Sequence, residues 1–207
     1  MVSEKGFGIA RYLSERPREP PTINQISKAL SIDYKSANTI VHRLVEEEVI
    51  ALQTAGNSYL CSLNIESEIC RAYLHMGEVI DAIRFMERNP EARFIAEDLK
   101  EKLLTLQGDI LFACLYGSFA REENTKQSDL DVYLATQEHV DTGDIALKLE
   151  KTHGRTISIN QTLEKDLADE IEMPLFAELV KDRRTFIGAE KFINKGLIEW
   201  MRKRKIS

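Results

Sequence analysis

Apolar residues recur at helical spacing three times near the start of the chain, then give way to short alternating runs. Phe7, Ala10 and Leu13 share one face of a first helix. That helix stops at PREPP (17–21), because proline lacks an amide donor and disfavours helix at the residue before it. Thr22 with Gln25 three residues on is a capping-box start, and Ile23, Ile26 and Leu30 continue as one stripe. SID (31–33) turns the chain, with Asp33 placed as the next N-cap. In the third helix Ala37, Ile40, Val41 and Leu44 form the inner face, while Tyr34, Lys35, Asn38, Thr39 and His42 fall opposite. VIALQ and YLCSL then read as two strands joined by the Gly-Asn turn of TAGNS.

Beyond residue 65 the periods lengthen. Ile69, Tyr73, Met76, Ile80 and Ile83 predict one stripe on a helix from Glu66 to about Glu87, ended by Asn89-Pro90. Such a stripe needs cover, from flanking domains or from a second copy in a homodimer. Residues 91–106 predict an amphipathic helix with Phe94, Leu99, Leu103 and Leu106 among its apolar positions. ILFACLYG (110–117) is a continuous apolar run, as a strand buried on both faces requires, and LDVYLAT (130–136) is a second strand. A helix over about 141–152 leads to RTISINQT (155–162), in which Ile157 and Ile159 face the core. LEKDLADEIEM and PLFAELVKDRRTFIGAEKFI predict helices broken near Met173-Pro174 and Gly188. The fold class is α+β, with an N-terminal helix–hairpin domain (1–65), a helical connector (66–90), a small mixed-sheet α/β domain (91–190) and a basic C-terminal helix or tail (191–207).

Charge is distributed unevenly. The net charge of −6 resolves into 0 for residues 1–65, −3 for 66–87, −8 for 88–190 and +5 for 191–207. An acidic α/β segment argues against a uniformly basic nucleic-acid coat. Arg202, Lys203, Arg204 and Lys205 in the tail read as a solvated helix end or as added phosphate contacts. Cys61, Cys70 and Cys114 show no CxxC spacing, so neither a disulfide framework nor a zinc site is expected. No apolar run reaches membrane-spanning length and no leader opens the chain, which leads to an expectation of a cytoplasmic protein without a membrane partner.

The chemistry concentrates in GSFAREENTKQSDLDVYL. Gly117 permits close backbone approach and Ser118 can donate to a phosphate oxygen. Asp129 and Asp131 point to one face of their strand, where two carboxylates repel unless a cation sits between them. Oxygen ligands of this kind suit Mg²⁺ shared with substrate phosphates. Arg121 and Lys126 in the loop are cations for a triphosphate. A turn before a surface strand explains the Gly and Ser but not the paired acids.

These residues resemble the signature of DNA polymerase β-type nucleotidyltransferases, especially their minimal forms. Gly117, Ser118, Ala120, Arg121, Ser128, Asp129 and Asp131 match that pattern in order and spacing. The resemblance implies a nucleotide site at Gly117, Ser118, Arg121, Lys126 and Ser128, with Asp129 and Asp131 holding Mg²⁺ (or Mn²⁺) as the catalytic pair. It implies transfer of a nucleoside monophosphate from an NTP to a hydroxyl acceptor. The family's third carboxylate, on a following strand, is missing here: Ser158 and Asn160 occupy the candidate positions, and Glu164 or Asp166 could compensate. Glu122 stands where many relatives have Gly. An alternative is a catalytically weak, nucleotide-binding transcriptional regulator or antitoxin-like protein.

Residues 1–65 resemble winged helix-turn-helix domains. That resemblance implies double-stranded DNA as a partner, read by Lys35, Asn38, Thr39, His42 and Arg43 of the third helix. Winged helices also dock proteins, and zero net charge together with Glu46, Glu47 and Glu48 weakens DNA binding without excluding it, so DNA stays the preferred partner.

Overall fold

Capping decides where the first helices begin. In the computed structural model, which describes residues 3–56, 58–105 and 110–206, α1 (Glu4–Ser14) starts where Ser3 Oγ accepts from Gly6 N at 3.1 Å. The expected capping box opens α2 (Ile23–Ala29): Thr22 Oγ1 accepts from Gln25 N at 3.3 Å, and Gln25 Oε1 accepts from Thr22 N at 2.7 Å. Asp33 caps α3 (Tyr34–Glu46) through Ser36 N at 2.9 Å, and this bonding holds its carboxyl below the ordinary range. The hairpin of β1 (Ile50–Ala55) and β2 (Ser58–Leu63) is antiparallel, with Ile50 opposite Leu63. Asn57 of the expected turn lies outside the described residues. The hairpin also meets the chain ahead of α2, where Cys61 N donates to Pro21 O at 2.8 Å. Ile9, Leu13, Ile26, Ala37, Val41, Leu44, Cys61 and Leu63 are all 2% exposed or less, and they form the core of this part.

The chain divides into two compact units, Met1–Gly77 with Trp200–Ser207, and Glu78–Glu199. These differ from the expected boundaries. The connector helix α4 (Glu68–Arg88) runs from the first unit into the second, and the last residues of the chain belong with the first. Within that first unit the tail is not simply solvated. Trp200 and Met201 are buried, Arg202 Nη2 pairs with Glu66 Oε2 at 2.7 Å, and Lys205 Nζ donates to Leu63 O at 3.3 Å.

The expected stripe on α4 is corrected. Its buried positions are Cys70, Tyr73, Leu74, Ala82 and Phe85, whereas Ile69 (52%), Met76 (44%) and Ile83 (53%) are exposed. Apolar residues lie around much of this helix, so spacing alone does not fix which side turns inward. Its Glu78, which a pattern of polar positions would place in water, is buried.

The second unit is built on one mixed sheet of order β5-β4-β3-β6. Following α5 (Pro90–Leu104) come β3 (Ile110–Tyr116), α6 (Gly117–Ala120), β4 (Leu130–Thr136), α7 (Gly143–His153) and β5 (Ile157–Leu163). A 3₁₀ turn (Glu164–Asp166), α8 (Leu167–Glu170) and α9 (Pro174–Asp182) lead to β6 (Arg184–Ile187). The chain ends as α10 (Ala189–Lys191), a π-helical stretch (Phe192–Leu197) and α11 (Ile198–Ile206). β3 is antiparallel to β4 and to β6, while β4 and β5 are parallel through the α7 crossover. β6 is a correction, since RTFI was expected within a helix. It forms because Thr185, Phe186 and Ile187 suit an edge strand and β3 offers an open side.

Two layers cover this sheet. Ala113, Leu115, Val132, Leu134 and Ile157 pack on Ile95, Leu99 and Leu103 of α5 and on Ile145 and Leu149 of α7. Phe94, expected inward, is 58% exposed, and Leu106 lies outside the described residues. On the other face Phe112 and Tyr133 stack 6.0 Å apart and meet Phe192 and Phe176 edge-on, at 5.3 and 5.9 Å. Next to them is a buried polar knot. Arg183 Nε donates to Glu78 Oε2 at 3.0 Å, Thr185 Oγ1 donates to Glu78 Oε1 at 2.6 Å, and Cys114 Sγ lies 3.2 Å from Thr185 Oγ1. All three cysteines are buried free thiols, and burial pushes Cys61 up to about 11 and Cys70 to about 12. No helix among the described residues is long and apolar enough to cross a membrane.

Candidate active site

Where β3 ends, the chain turns at once into the four residues of α6. Gly117 makes that turn with φ +72°, a left-handed conformation that glycine adopts without steric cost. Tyr116 stands opposite Asp131 in the β3–β4 register, which carries the Asp131 carboxylate across the Gly117 backbone. A Cβ on Gly117 would lie 2.5 Å from Asp131 Oδ2. Glycine is needed here twice over, for its backbone angle and for the acid beside it.

The loop after α6 is pinned by its own backbone. Arg121 N donates to Gly117 O at 3.1 Å, Glu122 N to Phe119 O at 3.1 Å and Glu123 N to Ser118 O at 2.9 Å. Glu122 sits at φ +62°, which explains why glycine would be acceptable in its place. Its carboxyl bonds Arg88 Nη2 at 2.9 Å, and that bond holds it below the ordinary range. Further on, Ser128 Oγ accepts from Thr125 N at 2.8 Å, closing the turn that delivers Asp129 and Asp131.

Burial pushes the Asp131 carboxyl up, Asp129 pushes it further, and Arg121 opposes both. Asp131 therefore carries the cost of its burial and of the neighbouring Asp129 charge, which Arg121 only partly offsets. A divalent cation fits that deficit, and a donor set of two carboxylates suits Mg²⁺ completed by substrate oxygens and water. Among the described residues no cluster of three or more His, Cys, Asp or Glu could hold a metal ion.

The parallel β4–β5 register decides what stands in for a third acid. Ser158 pairs with Asp131 and Asn160 with Tyr133. Asn160 Nδ2 donates to Tyr116 Oη, while burial and then the charge of Asp131 push the Tyr116 hydroxyl up. Glu164 and Asp166 follow the far end of β5: Leu163, just ahead of them, pairs with Thr136, five residues past Asp131 and so about 17 Å along the strand. Glu164 is bound to Lys195 there.

The predicted phosphate contacts divide. Ser118 is half-buried beside Gly117 and Lys126 is exposed on the loop. Arg121 is already engaged: Nε donates to Glu123 Oε2 at 2.8 Å and Nη1 to Asp182 Oδ2 at 2.5 Å. Ser128 shapes the turn through its hydroxyl.

Sequence reasoning missed two contributors. Arg155, whose side chain is 9% exposed, donates to Thr125 O (2.7 Å), Ser128 O (2.8 Å) and Glu91 Oε1 (2.6 Å), and its guanidinium lies 4.9 Å from the Phe119 ring centre. It ties the turn ahead of Asp129 to α6. Nothing local marks it; only an arginine just ahead of β5, the strand beside Asp131, hints at the role. The second is α9, where Asp182 holds Arg121 and Glu178 raises the Tyr116 hydroxyl by its charge. Their i, i+4 spacing places both on one helix face.

In the first unit, Lys35, Thr39 and His42 are exposed on α3 and Asn38 is half-buried. Thr39 Oγ1 donates to Lys35 O at 3.0 Å. Arg43 differs from them: Nη2 donates to Ser3 Oγ at 3.2 Å and Nε lies 4.0 Å from Glu47.

Residues 97–181 match the family model described as Polymerase beta, Nucleotidyltransferase, a span that contains α6, the acid pair and α9 up to the residue before Asp182. No curated protein and no solved structure matches the chain.

Proposed function

We propose that the second unit binds an NTP with Mg²⁺ (or Mn²⁺) and transfers its nucleoside monophosphate to a hydroxyl acceptor. The carrying observation is the contact of Gly117 with Asp131, with Asp129 near enough to raise it. Asp129 and Asp131 would hold the metal, which supplies charge neutralisation at the transferring phosphorus. Gly117 gives the triphosphate a close backbone approach, Ser118 donates to a phosphate oxygen, and Arg121 and Lys126 offer cations at the loop. Ser128, with Arg155 behind it, keeps Asp129 in register with α6. Incubation with labelled ATP, GTP, CTP or UTP, Mg²⁺ and hydroxyl acceptors yields transferred label that disappears in Asp129→Ala. Label that persists in Asp129→Ala refutes the assignment.

A second reading rests on the β5 register. With Ser158 opposite Asp131 and Asn160 bound to Tyr116, the chain has no carboxylate base where the resemblance expects one. Loss of a general base costs about 10²–10⁴-fold in rate. Tight Mg-NTP binding without transfer would identify a nucleotide-sensing regulator instead.

For residues 1–65 the proposal is a winged helix that contacts double-stranded DNA through Lys35, Asn38, Thr39 and His42. Their common exposure on α3 supports it, apart from the half-buried Asn38. Arg43 adds a cation once released from Ser3. A salt-dependent mobility shift on DNA upstream of the gene, lost in Lys35→Ala with His42→Ala, tests this; no shift at low salt removes it. A homodimer through the exposed residues of α4 belongs to the same proposal, with sedimentation as its test. Three buried thiols support a working place in a reducing cytoplasm.

A further inference from the structure

The cation that a triphosphate would seek is occupied by the protein's own acids. Arg121 gives Nη1 to Asp182 Oδ2 at 2.5 Å and Nε to Glu123 Oε2 at 2.8 Å, yet its charge still reaches Asp131. The two acids are held differently. Glu123 is two residues along the same loop and travels with Arg121. Asp182 belongs to a fixed frame: the next residue, Arg183, is 1% exposed and bonded to Glu78 Oε2 at 3.0 Å. Arg184 donates to the Asp182 carbonyl at 3.2 Å and pairs with Asp81 at 3.4 Å. The Asp182 side chain is 14% exposed against 44% for Arg121, so the arginine has the freedom to leave and the aspartate does not.

We propose that Asp182 controls nucleotide affinity by competing with phosphate for Arg121: it holds the guanidinium when the site is empty and yields it to a triphosphate. Resting on the nucleotide-binding reading above, this assigns α9 a role that no motif residue carries. Two oxygens of a tetrahedral phosphate group offer a guanidinium the same paired acceptors as a carboxylate, with more charge, so the exchange retains the hydrogen bonds of the guanidinium. Asp182 then acts as a built-in rival that raises the nucleotide concentration needed to fill the site.

The test is Mg-ATP affinity of the full chain, by calorimetry, for wild type, Asp182→Asn, Asp182→Ser, Arg121→Ala and the Arg121→Ala/Asp182→Asn double variant. Asp182→Asn tightens binding by about two- to fivefold, the ratio for a solvent-screened charge pair, and the gain vanishes in the Arg121→Ala background. Asp182→Ser gives the same gain should the Asn variant fold poorly. Glu178→Gln removes one charge from the same helix face and separates competition from a general field effect. A gain from Glu178→Gln as large as that from Asp182→Asn overturns the proposal. So does wild-type binding that Asp182→Asn and Asp182→Ser leave unchanged or weaken. Absence of Mg-ATP binding in wild type and every variant removes the nucleotide reading itself, and this role with it.

Discussion

Replacing Gly117 by alanine adds one methyl group at the point where backbone conformation and the acid pair meet. The left-handed angle, φ +72°, costs an L-residue about 1–2 kcal/mol. Lower entropy of the unfolded alanine chain offsets about 0.4–1 kcal/mol of that. The new Cβ also falls 2.5 Å from Asp131 Oδ2, so the carboxylate must leave its position. A displaced side-chain torsion adds about 0.5–1.5 kcal/mol. The net loss is about 0.5–3 kcal/mol, a fall of roughly 2–12 °C in melting temperature for a unit of this size. Gly154→Ala is the internal control. Gly154 has φ +63° and nothing within 4 Å of its would-be Cβ, so it carries the backbone cost alone. Both variants lose stability by calorimetry, but only Gly117→Ala also weakens Mn²⁺ binding, by roughly tenfold or more, measured by electron paramagnetic resonance. Equal Mn²⁺ binding by Gly117→Ala and Gly154→Ala would refute the idea that Gly117 makes room for a metal-holding Asp131.

Three further outcomes follow from the same packing. Asp131→Asn stabilises the metal-free protein at neutral pH. The folded Asp131 carboxyl is raised, so the native state binds more protons than the unfolded chain just above the ordinary carboxylate range, and wild-type stability falls as pH rises through that window. Thermal melts from pH 4 to 8 read this: the variant's advantage grows with pH, and saturating Mg²⁺ reverses it by favouring wild type. Glu78→Ala removes the carboxylate that pairs with the buried Arg183, 1% exposed, and costs about 3–5 kcal/mol in urea unfolding; a loss below 1 kcal/mol contradicts a buried pair. Arg155→Lys cannot reproduce a fork that reaches Thr125 O, Ser128 O and Glu91 together. It lowers Mn²⁺ affinity with little change in helical circular dichroism, and unaltered affinity would show that the turn ahead of Asp129 holds itself.

The sequence made local patterns legible and left long-range ones hidden. LDVYLAT forms β4 over Leu130–Thr136 as expected, because Leu130, Val132 and Leu134 alternate with Asp131 and Tyr133 at the two-residue period of a strand. Thr22 and Asp33 cap their helices as their types suggest. The residues that could be read were those whose partners lie within four positions or on a strand of alternating faces. β6 escaped because its four residues follow α9 with only Arg183 between and no turn signal, and only an open side of β3 makes them a strand. The inward side of α4 escaped because its apolar residues surround the helix, and the buried Glu78 depends on an arginine 105 positions away. Arg155 and Asp182 escaped for the same reason: each acts on the candidate site through a contact that no spacing rule describes. The absent third acid was legible, since an alternating strand leaves only Ser158 and Asn160 on that side.

The strand alignment that sets Ser158 beside Asp131 also leaves one open choice within the fold. A carboxylate in place of that hydroxymethyl group would set a third acid next to the pair while sparing the glycine bend and the Arg121–Asp182 contact. The proposed transferase and the proposed nucleotide sensor differ there by one side chain of β5 and not by a fold.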